Sequence, residues 1–241
     1  MKATTLAWLL CLAPVAADAA RSASVRSANS TAALVTELDA IAPGDEILLG
    51  LLLKPDPGWH TYWRNAGDSG AAPILKWKKT GGLTLREPIW PFPKRLPVGP
   101  LVNFGYDEES LLLTPAKLPA GARGALRVEL AVEWLVCKVE CIPASGRFTL
   151  EIPIAARSRW DPRWKELWAR HGPRYPLPAY GWEFLARAGA ETITLTGRDG
   201  SAGAAEFFPS QPLVLENATP QAFEKTPDGF RLTLPRSEQS D

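Results

Sequence analysis

The chain has 241 residues, enough for one large domain or two ordinary ones, each with its own hydrophobic core. Its 27 basic and 26 acidic residues nearly cancel and are spread along the sequence, which argues against nucleic acid as a partner because phosphate binding requires a concentrated basic face. The 23 prolines, 19 glycines and short apolar runs favour strands and turns over long helices.

Residues 1–19 have the features of a cleavable signal peptide. Lys2 supplies a positive charge, 6–15 form a short apolar segment, and Ala17-Asp18-Ala19 is a cleavage site of the A-x-A type. A lipoprotein signal at Cys11 is the alternative, but the residue before it, a leucine, occupies a position that requires a small side chain. We therefore expect an exported chain in the periplasm of a Gram-negative bacterium, with no membrane span of its own.

Short strands separated by turns are predicted through residues 20–156. The four prolines of 91–100 exclude a central strand there, and 103–107 are predicted to form a loop tip. The clearest alternation of apolar and polar residues is in 126–136. The predicted strands are 32–41, 46–54, 59–64, 74–78, 83–89, 110–114, 126–136 and 147–154. Strands this short, with no helical period between them, indicate an all-β antiparallel sandwich of immunoglobulin-like type.

A helical linker is predicted over 157–178. Asp161 is a favourable N-cap, Pro162 suits the first helical position, and Gly172 marks the end. Three tryptophans at i, i+4 spacing should share one face of this helix: Trp160, Trp164 and Trp168. We interpret this face as packing at a domain junction, with a sugar-binding platform as the weaker alternative.

A second, smaller β domain is predicted over 179–241. The strands predicted there are 182–188, 192–196, 205–208, 213–216 and 230–234. The sequence ends abruptly in a polar stretch, 237–241, so the last strands of this domain are expected to be missing.

Cys137 and Cys141 are the only cysteines that remain once the signal peptide is removed. On an extended strand, positions i and i+4 lie about 13 Å apart, beyond the ~7 Å Cα limit for a disulfide, so a bridge requires the chain to fold back. Pro143 and Ser145-Gly146 are consistent with a turn. The small ring would contribute only about 2 kcal/mol in the chain-entropy model, which suits a reversible pair better than a structural one. Two such thiols can attack a partner disulfide and resolve the mixed intermediate.

The residues alone leave other uses of the pair open. A structural hairpin clip, two inert thiols, or a Cu(I) site made of two soft thiolates would fit the same spacing. His60 and His171 lack zinc-finger spacing and no haem attachment motif is present, so neither a metal nor another cofactor is expected. The rival interpretation is a non-catalytic binding module that handles copper or serves in assembly.

Three segments resemble the N-terminal periplasmic region of the thiol:disulfide interchange protein DsbD family, particularly its ScsB-like branch. They are 57–70 (PGWHTYWRNAGDSG), Phe104-Gly105-Tyr106 and 133–143 (EWLVCKVECIP). The resemblance implies an immunoglobulin-like domain that takes electrons from a membrane-embedded reductase domain and passes them to periplasmic thioredoxin-fold partners. It further implies that Cys141 forms the mixed disulfide with the partner and that Cys137 resolves it. We therefore expect a protein-disulfide reductase component.

The resemblance also implies residues that surround the sulfur pair. An aromatic cap loop covers the cysteines in the family, and Phe104 and Tyr106 are the candidates for it here. His60 and Tyr62 match positions near the cysteines, and Trp134 is a further supporting candidate. The membrane domain and the C-terminal thioredoxin-like domain of full family members are not in this sequence, so we expect either a fragment or a stand-alone relative.

Overall fold

The computed structural model describes residues 19–198 and 203–239, so the predicted signal peptide, apart from its last residue, lies outside the described residues. The strands of the N-terminal part are β1 (Val25–Ser27), β2 (Ser30–Thr36), β3 (Leu38–Ala40), β4 (Glu46–Pro55), β5 (Thr61–Gly67), β6 (Ile74–Lys79), β7 (Thr84–Leu85), β8 (Lys94–Val98), β9 (Leu101–Tyr106), β10 (Ser110–Lys117), β11 (Ala125–Cys137), β12 (Cys141–Pro153) and β13 (Arg159–Trp160). They are followed by helix α1 (Trp164–His171), a 3-10 turn (Gly172–Arg174), β14 (Glu183–Ala188), β15 (Thr192–Arg198), β16 (Ala222–Thr226) and β17 (Gly229–Pro235).

Two antiparallel sheets pack face to face around the main core. One has the strand order β1-β2-β4-β10-β7 and the other β12-β11-β6. Because successive side chains of a strand point to opposite faces, alternate residues enter the space between the sheets: Leu49 and Leu51 from β4, and Val128 and Leu130 from β11. Full burial stabilises each such side chain by about 1.5–3 kcal/mol. The antiparallel sandwich is the fold class that the sequence predicted.

Helix α1 covers the outer face of the larger sheet. Trp164 and Leu167 of the helix pack with Tyr175 against that face, on the side chains of Val35, Leu52, Leu111 and Leu113. The helix begins at Trp164 rather than directly after Asp161, whose carboxylate accepts the Arg163 N–H at 2.8 Å. Trp160 does not share the helix face, because it pairs with Leu38 in a short two-stranded sheet. Trp164 and Trp168 do lie on one face, and their rings stack with centroids 6.1 Å apart.

The three-stranded sheet β5-β9-β8 lies next to the sandwich and carries the residues that surround the cysteines. The prediction of a loop tip at 103–107 is wrong, because 101–106 form the central strand of this sheet. The segment contains three residues of types that favour turns: Asn103, Gly105 and Asp107. They indicate a loop, although the apolar residues between them alternate as in a strand. The proline-rich segment does form a strand, β8, but at the sheet edge, where proline is tolerated.

A four-stranded sheet, β14-β15-β17-β16, follows the helix. The predicted strands 205–208 and 213–216 are wrong, and β16 was not predicted. Residues 203–221 form no strand and contact the β5-β9-β8 sheet. The Phe208 ring packs edge-on against Phe104 at 5.2 Å, and the Asn65 side-chain amide donates to the Pro209 carbonyl at 2.8 Å.

Candidate functional site: a hairpin disulfide beside a polar network

The cysteines close the longest hairpin of the sandwich. Strands β11 and β12 have 13 residues each and pair in register along their whole length, and Cys137 and Cys141 form the last pair. The chain turns at 138–140, so the predicted turn at Pro143 and Ser145-Gly146 is wrong. Those residues lie within β12, where they pair with Leu135, Glu133 and Val132 of β11.

A disulfide joins Cys137 to Cys141, whose Cα atoms are 4.2 Å apart. The backbone explains this short distance. Cys137 donates its N–H to the His60 carbonyl at 2.9 Å and accepts the His60 N–H at 2.8 Å. Both polar backbone groups of Cys137 therefore point away from Cys141, which makes the two cysteines a non-hydrogen-bonded pair, the type in which opposed side chains are closest.

The two sulfurs have unequal environments. Cys137 is buried, whereas Cys141 is exposed. The surface around Cys141 combines apolar and charged residues, since Val139 at the hairpin tip is 85% exposed, Ile142 is exposed, and Lys138 and Glu140 are exposed on either side of Val139. An incoming thiolate can therefore reach Cys141 but not Cys137.

Tyr62 contacts the reachable sulfur. Its hydroxyl lies 3.1 Å from the Cys141 Sγ. A disulfide sulfur carries no proton, so the phenol must be the donor in this bond. Burial raises the pKa of Tyr62, and a hydrogen bond with Ser69 opposes that rise, so the phenol keeps its proton at neutral pH. The ring meets His60 edge-to-face, with centroids 5.2 Å apart.

Asn103 connects Tyr62 to His60. Its Oδ1 accepts the Ser69 N–H at 3.1 Å and the Ser69 hydroxyl at 2.9 Å. Because a backbone N–H can only donate, this fixes the orientation of the amide, and Nδ2 faces Tyr62 Oη at 3.3 Å and His60 Nε2 at 3.4 Å. His60 Nε2 is then an acceptor. Burial lowers the pKa of His60, with a smaller opposing effect of Asp107, which agrees with a neutral ring.

Two glycines leave room for this network. A Cβ on Gly70, whose φ is +87°, would lie 2.1 Å from the Tyr62 ring, and a Cβ on Gly105 would lie 1.9 Å from the Thr61 carbonyl. Glycine at these positions therefore lets the chain pass directly over Tyr62 and lets β9 approach β5. Asn103, Ser69 and Gly70 were not singled out from the sequence, although Ser69 and Gly70 end the motif that carries the resemblance.

The structure places the other predicted site residues differently. Phe104 and Tyr106 lie in β9 and point to the face opposite Asn103, where they are buried with Trp63 and Val102. They do not form a loop over the cysteines. Trp134 is a core residue of the sandwich, and its indole N–H donates to the Ser30 hydroxyl at 2.9 Å.

Neither a metal site nor a membrane helix is found in the described ranges. Among those residues, no three histidine, cysteine or acidic side chains converge in a way that could hold a metal ion. Across the same residues, no helix combines the length and the hydropathy that a membrane crossing requires.

Comparison with known proteins gives one family and one fold. The family described as thiol:disulfide interchange protein DsbD, N-terminal, matches residues 31–153. The crystal structure of the N-terminal periplasmic domain of ScsB from Proteus mirabilis is similar, with a TM-score of 0.64 and 15% sequence identity, over 92% of this chain and 87% of that chain. At that identity the likeness shows the fold alone. No curated protein matches the sequence.

Proposed function

We propose, since the chain belongs to the thiol:disulfide interchange protein DsbD N-terminal family, that it is a periplasmic thiol-disulfide exchange module that relays reducing equivalents between other proteins. The observation that carries the proposal is the asymmetry of the pair. Cys141 is exposed at the hairpin tip, whereas Cys137 is buried beneath it. A disulfide that served only as a staple would have no need of one reachable sulfur.

The exchange follows from this asymmetry. To reduce the module, a donor thiolate attacks the Cys141 Sγ, the Cys137–Cys141 bond breaks, and Cys137 leaves as a thiolate. A second donor thiol then attacks the donor sulfur of the mixed disulfide and releases the Cys141 thiolate. The donor dithiol becomes a disulfide, and the module takes up two electrons.

The second half of the relay reverses these steps. The Cys141 thiolate attacks an acceptor disulfide, and a mixed disulfide forms as one acceptor thiolate leaves. Cys137 then attacks the Cys141 Sγ and releases the reduced acceptor. Because Cys137 is held opposite Cys141 by the β11–β12 pairing, the resolving thiol is already in place.

The polar network supports the reaction through Cys141. In the reduced state, the Tyr62 hydroxyl would donate to a Cys141 thiolate, and Asn103 would hold the phenol in position for it. Hydrogen bonds to charged groups contribute about 1.5–3 kcal/mol, more than those between neutral groups. We assign His60 the role of fixing the Cys137 backbone. Phe104, Tyr106 and Trp134 are supporting residues in this proposal, because they anchor β9 and β11 from the faces that pack in the core.

The partners in this proposal are those of the family. A membrane-embedded thiol reductase domain would supply the electrons, and periplasmic thioredoxin-fold proteins would accept them. The exposed apolar side chains of Val139 and Ile142, beside the charged Lys138 and Glu140, give such a partner both apolar surface to cover and charges to pair with.

Single-cysteine variants test the assignment. We expect Cys137→Ser to accumulate a mixed disulfide between Cys141 and a thioredoxin-fold disulfide isomerase, whereas Cys141→Ser should trap far less. Mass spectrometry of the trapped species identifies the sulfur involved. Equal trapping by both variants, or no exchange by the unaltered chain in a glutathione redox buffer, would contradict the proposal. Stoichiometric Cu(I) uptake without exchange would instead support the rival binding module.

A further inference from the structure

Strand β14 is an uncovered sheet edge. It is the first strand in the order β14-β15-β17-β16, and every one of its six residues is exposed. Phe184 and Leu185 are among them, at 54% and 50% exposure. In the part of the chain that the structure describes, no strand pairs with its outer side. Edges of this kind are sites of pairing with another chain.

The hydrogen-bonding pattern shows which backbone groups are available. Gly189 donates its N–H to the Thr192 carbonyl at 2.8 Å, at the turn between β14 and β15. Residue pairs in an antiparallel ladder alternate between hydrogen-bonded and non-hydrogen-bonded types. The backbone N–H and C=O groups therefore point toward β15 at every second residue: Arg187, Leu185 and Glu183. The N–H and C=O groups of Phe184 and Ala186 therefore point outward, toward solvent.

We propose that β14 pairs with β14 of a second copy of the chain, antiparallel and with the two-fold axis at Leu185. In this register Phe184 lies opposite Ala186 of the partner, so the two outward-pointing residues exchange their N–H and C=O groups. Leu185 meets its own copy in a non-hydrogen-bonded pair, where side chains are closest. The four-stranded sheet of each copy then continues into that of the other.

The side chains of β14 are complementary to themselves in this register. Glu183 lies opposite Arg187 of the partner, and the pair occurs twice by symmetry. On the other face, large residues meet small ones, because Trp182 lies opposite Ala188 and Phe184 opposite Ala186. The strand is flanked at equal distances from Leu185 by Gly181 and Gly189.

Burial gives a second reason for a copy of the chain as the occupant. The core below this sheet is formed by Leu215, Phe230, Leu232 and Leu234, and it ends before β14. The Trp182 and Phe184 rings stack at 5.7 Å and extend beyond it, so they remain partly uncovered. A second β14 in this register would place its Ala186 beside Phe184 and its Ala188 beside Trp182, and so reduce the exposure of both rings.

Charge reversal tests the register. Sedimentation equilibrium of the oxidised chain should show a dimer, and Glu183→Arg and Arg187→Glu should each raise its dissociation constant about tenfold or more, because like charges then face each other twice. The double variant Glu183→Arg/Arg187→Glu should restore dimerisation to within about threefold of the unaltered chain. These two residues are about 13 Å apart on one strand, so restoration can only come from contact between copies.

A cysteine at the axis provides an independent measurement. In a Cys137→Ser/Cys141→Ser background, Leu185→Cys should form an intermolecular disulfide on mild oxidation, since the two inserted sulfurs face each other. The matched control is Glu183→Cys, whose two copies would lie about 13 Å apart and should remain unlinked. The proposal is overturned if the chain stays monomeric. It is also overturned if a dimer forms but neither charge reversal weakens it, or if the β14 edge binds only a different protein.

Discussion

The Tyr62 hydroxyl donates a hydrogen bond to the Cys141 Sγ over 3.1 Å. This bond is a direct polar contact between β5, which carries Tyr62, and the sulfur that a partner can reach. The bond is weak while the sulfur is part of a disulfide and becomes a charge-assisted bond once Cys141 is a thiolate. The phenol therefore favours the reduced state of the pair.

Tyr62→Phe should make the pair harder to reduce. Loss of a hydrogen bond to a charged sulfur removes about 1.5 kcal/mol, so we expect the equilibrium with glutathione to shift about tenfold toward the disulfide. Alkylation of the reduced protein at neutral pH should also slow. The matched control is Tyr175→Phe, because the Tyr175 hydroxyl donates to the Leu111 carbonyl beneath helix α1. An unchanged equilibrium in Tyr62→Phe would show that the phenol has no part in exchange.

Asn103→Ala should act on exchange through Tyr62. The substitution removes the donor that holds Tyr62 Oη and His60 Nε2, and it leaves Ser69 without its acceptor. We expect a loss of about 1–3 kcal/mol in the free energy of unfolding and a shift of the glutathione equilibrium in the same direction as in Tyr62→Phe.

A double-mutant cycle separates this positioning role from a general loss of stability. If Asn103 acts through the phenol, Tyr62→Phe/Asn103→Ala should shift the redox equilibrium no further than Tyr62→Phe alone. Asn65→Ala is the control, since Asn65 is also buried but bonds the carbonyls of Pro209 and Gln211. It should lose stability while exchange stays unchanged. Additive shifts in the cycle would rule out the role proposed for Asn103.

Gly70→Ala should displace Tyr62. The new Cβ would lie 2.1 Å from the ring, and the positive φ adds backbone strain. Gly124→Ala isolates the strain, because Gly124 has a similar φ of +84° with no atom within 4 Å. Urea unfolding should show a loss of about 1 kcal/mol for Gly124→Ala and a larger one for Gly70→Ala. Only Gly70→Ala should also alter exchange, and equal effects of the two variants would refute the contact.

Glu37 should make the fold less stable as pH rises. Burial raises the pKa of Glu37 to about 7, although the Leu48 N–H and the Thr36 hydroxyl bond to its carboxylate and partly offset this effect. Since the folded-state pKa lies above the unfolded-state value, protonation stabilises the fold, and that stabilisation is lost between pH 4.5 and about 7.

The comparison with Glu37→Gln isolates this contribution. From low pH to pH 8, the unaltered chain should lose roughly 3 kcal/mol of unfolding free energy relative to the variant. The Glu133→Gln variant, which removes an exposed carboxylate paired with Lys76, controls for the loss of one negative charge. A Glu37→Gln variant with the pH profile of the unaltered chain would contradict the assignment.

The sandwich and the sulfur pair could be predicted because both depend on local information. The alternation of apolar and polar residues along 126–136 indicates a strand, whichever strands pair with it. The two cysteines four residues apart are evident from the sequence alone. The family resemblance, drawn from three short segments, is confirmed by the match over residues 31–153.

The surroundings of the sulfurs could not be predicted in the same way. Asn103 faces Tyr62 only because β9 pairs with β5, and that pairing depends on residues far apart in sequence. The resemblance implies a cap role for its neighbour Phe104, yet the strand directs that ring to the opposite face. Pro143 suggested a turn by its residue type, whereas the register of the hairpin places it opposite Leu135.

The backbone bonds between Cys137 and His60 have a consequence for the state in which the ring is open. Neither these bonds nor the ladder between β11 and β12 involves the sulfurs, so we expect both to remain when the sulfur–sulfur bond breaks. The two thiols then remain neighbours at a high effective molarity, and ring closure requires rotation about side-chain bonds rather than a search by the polypeptide. When Cys141 carries a mixed disulfide, attack by Cys137 on the Cys141 Sγ, which releases the partner thiolate and closes the ring, should accordingly be faster than attack by small thiols in solution.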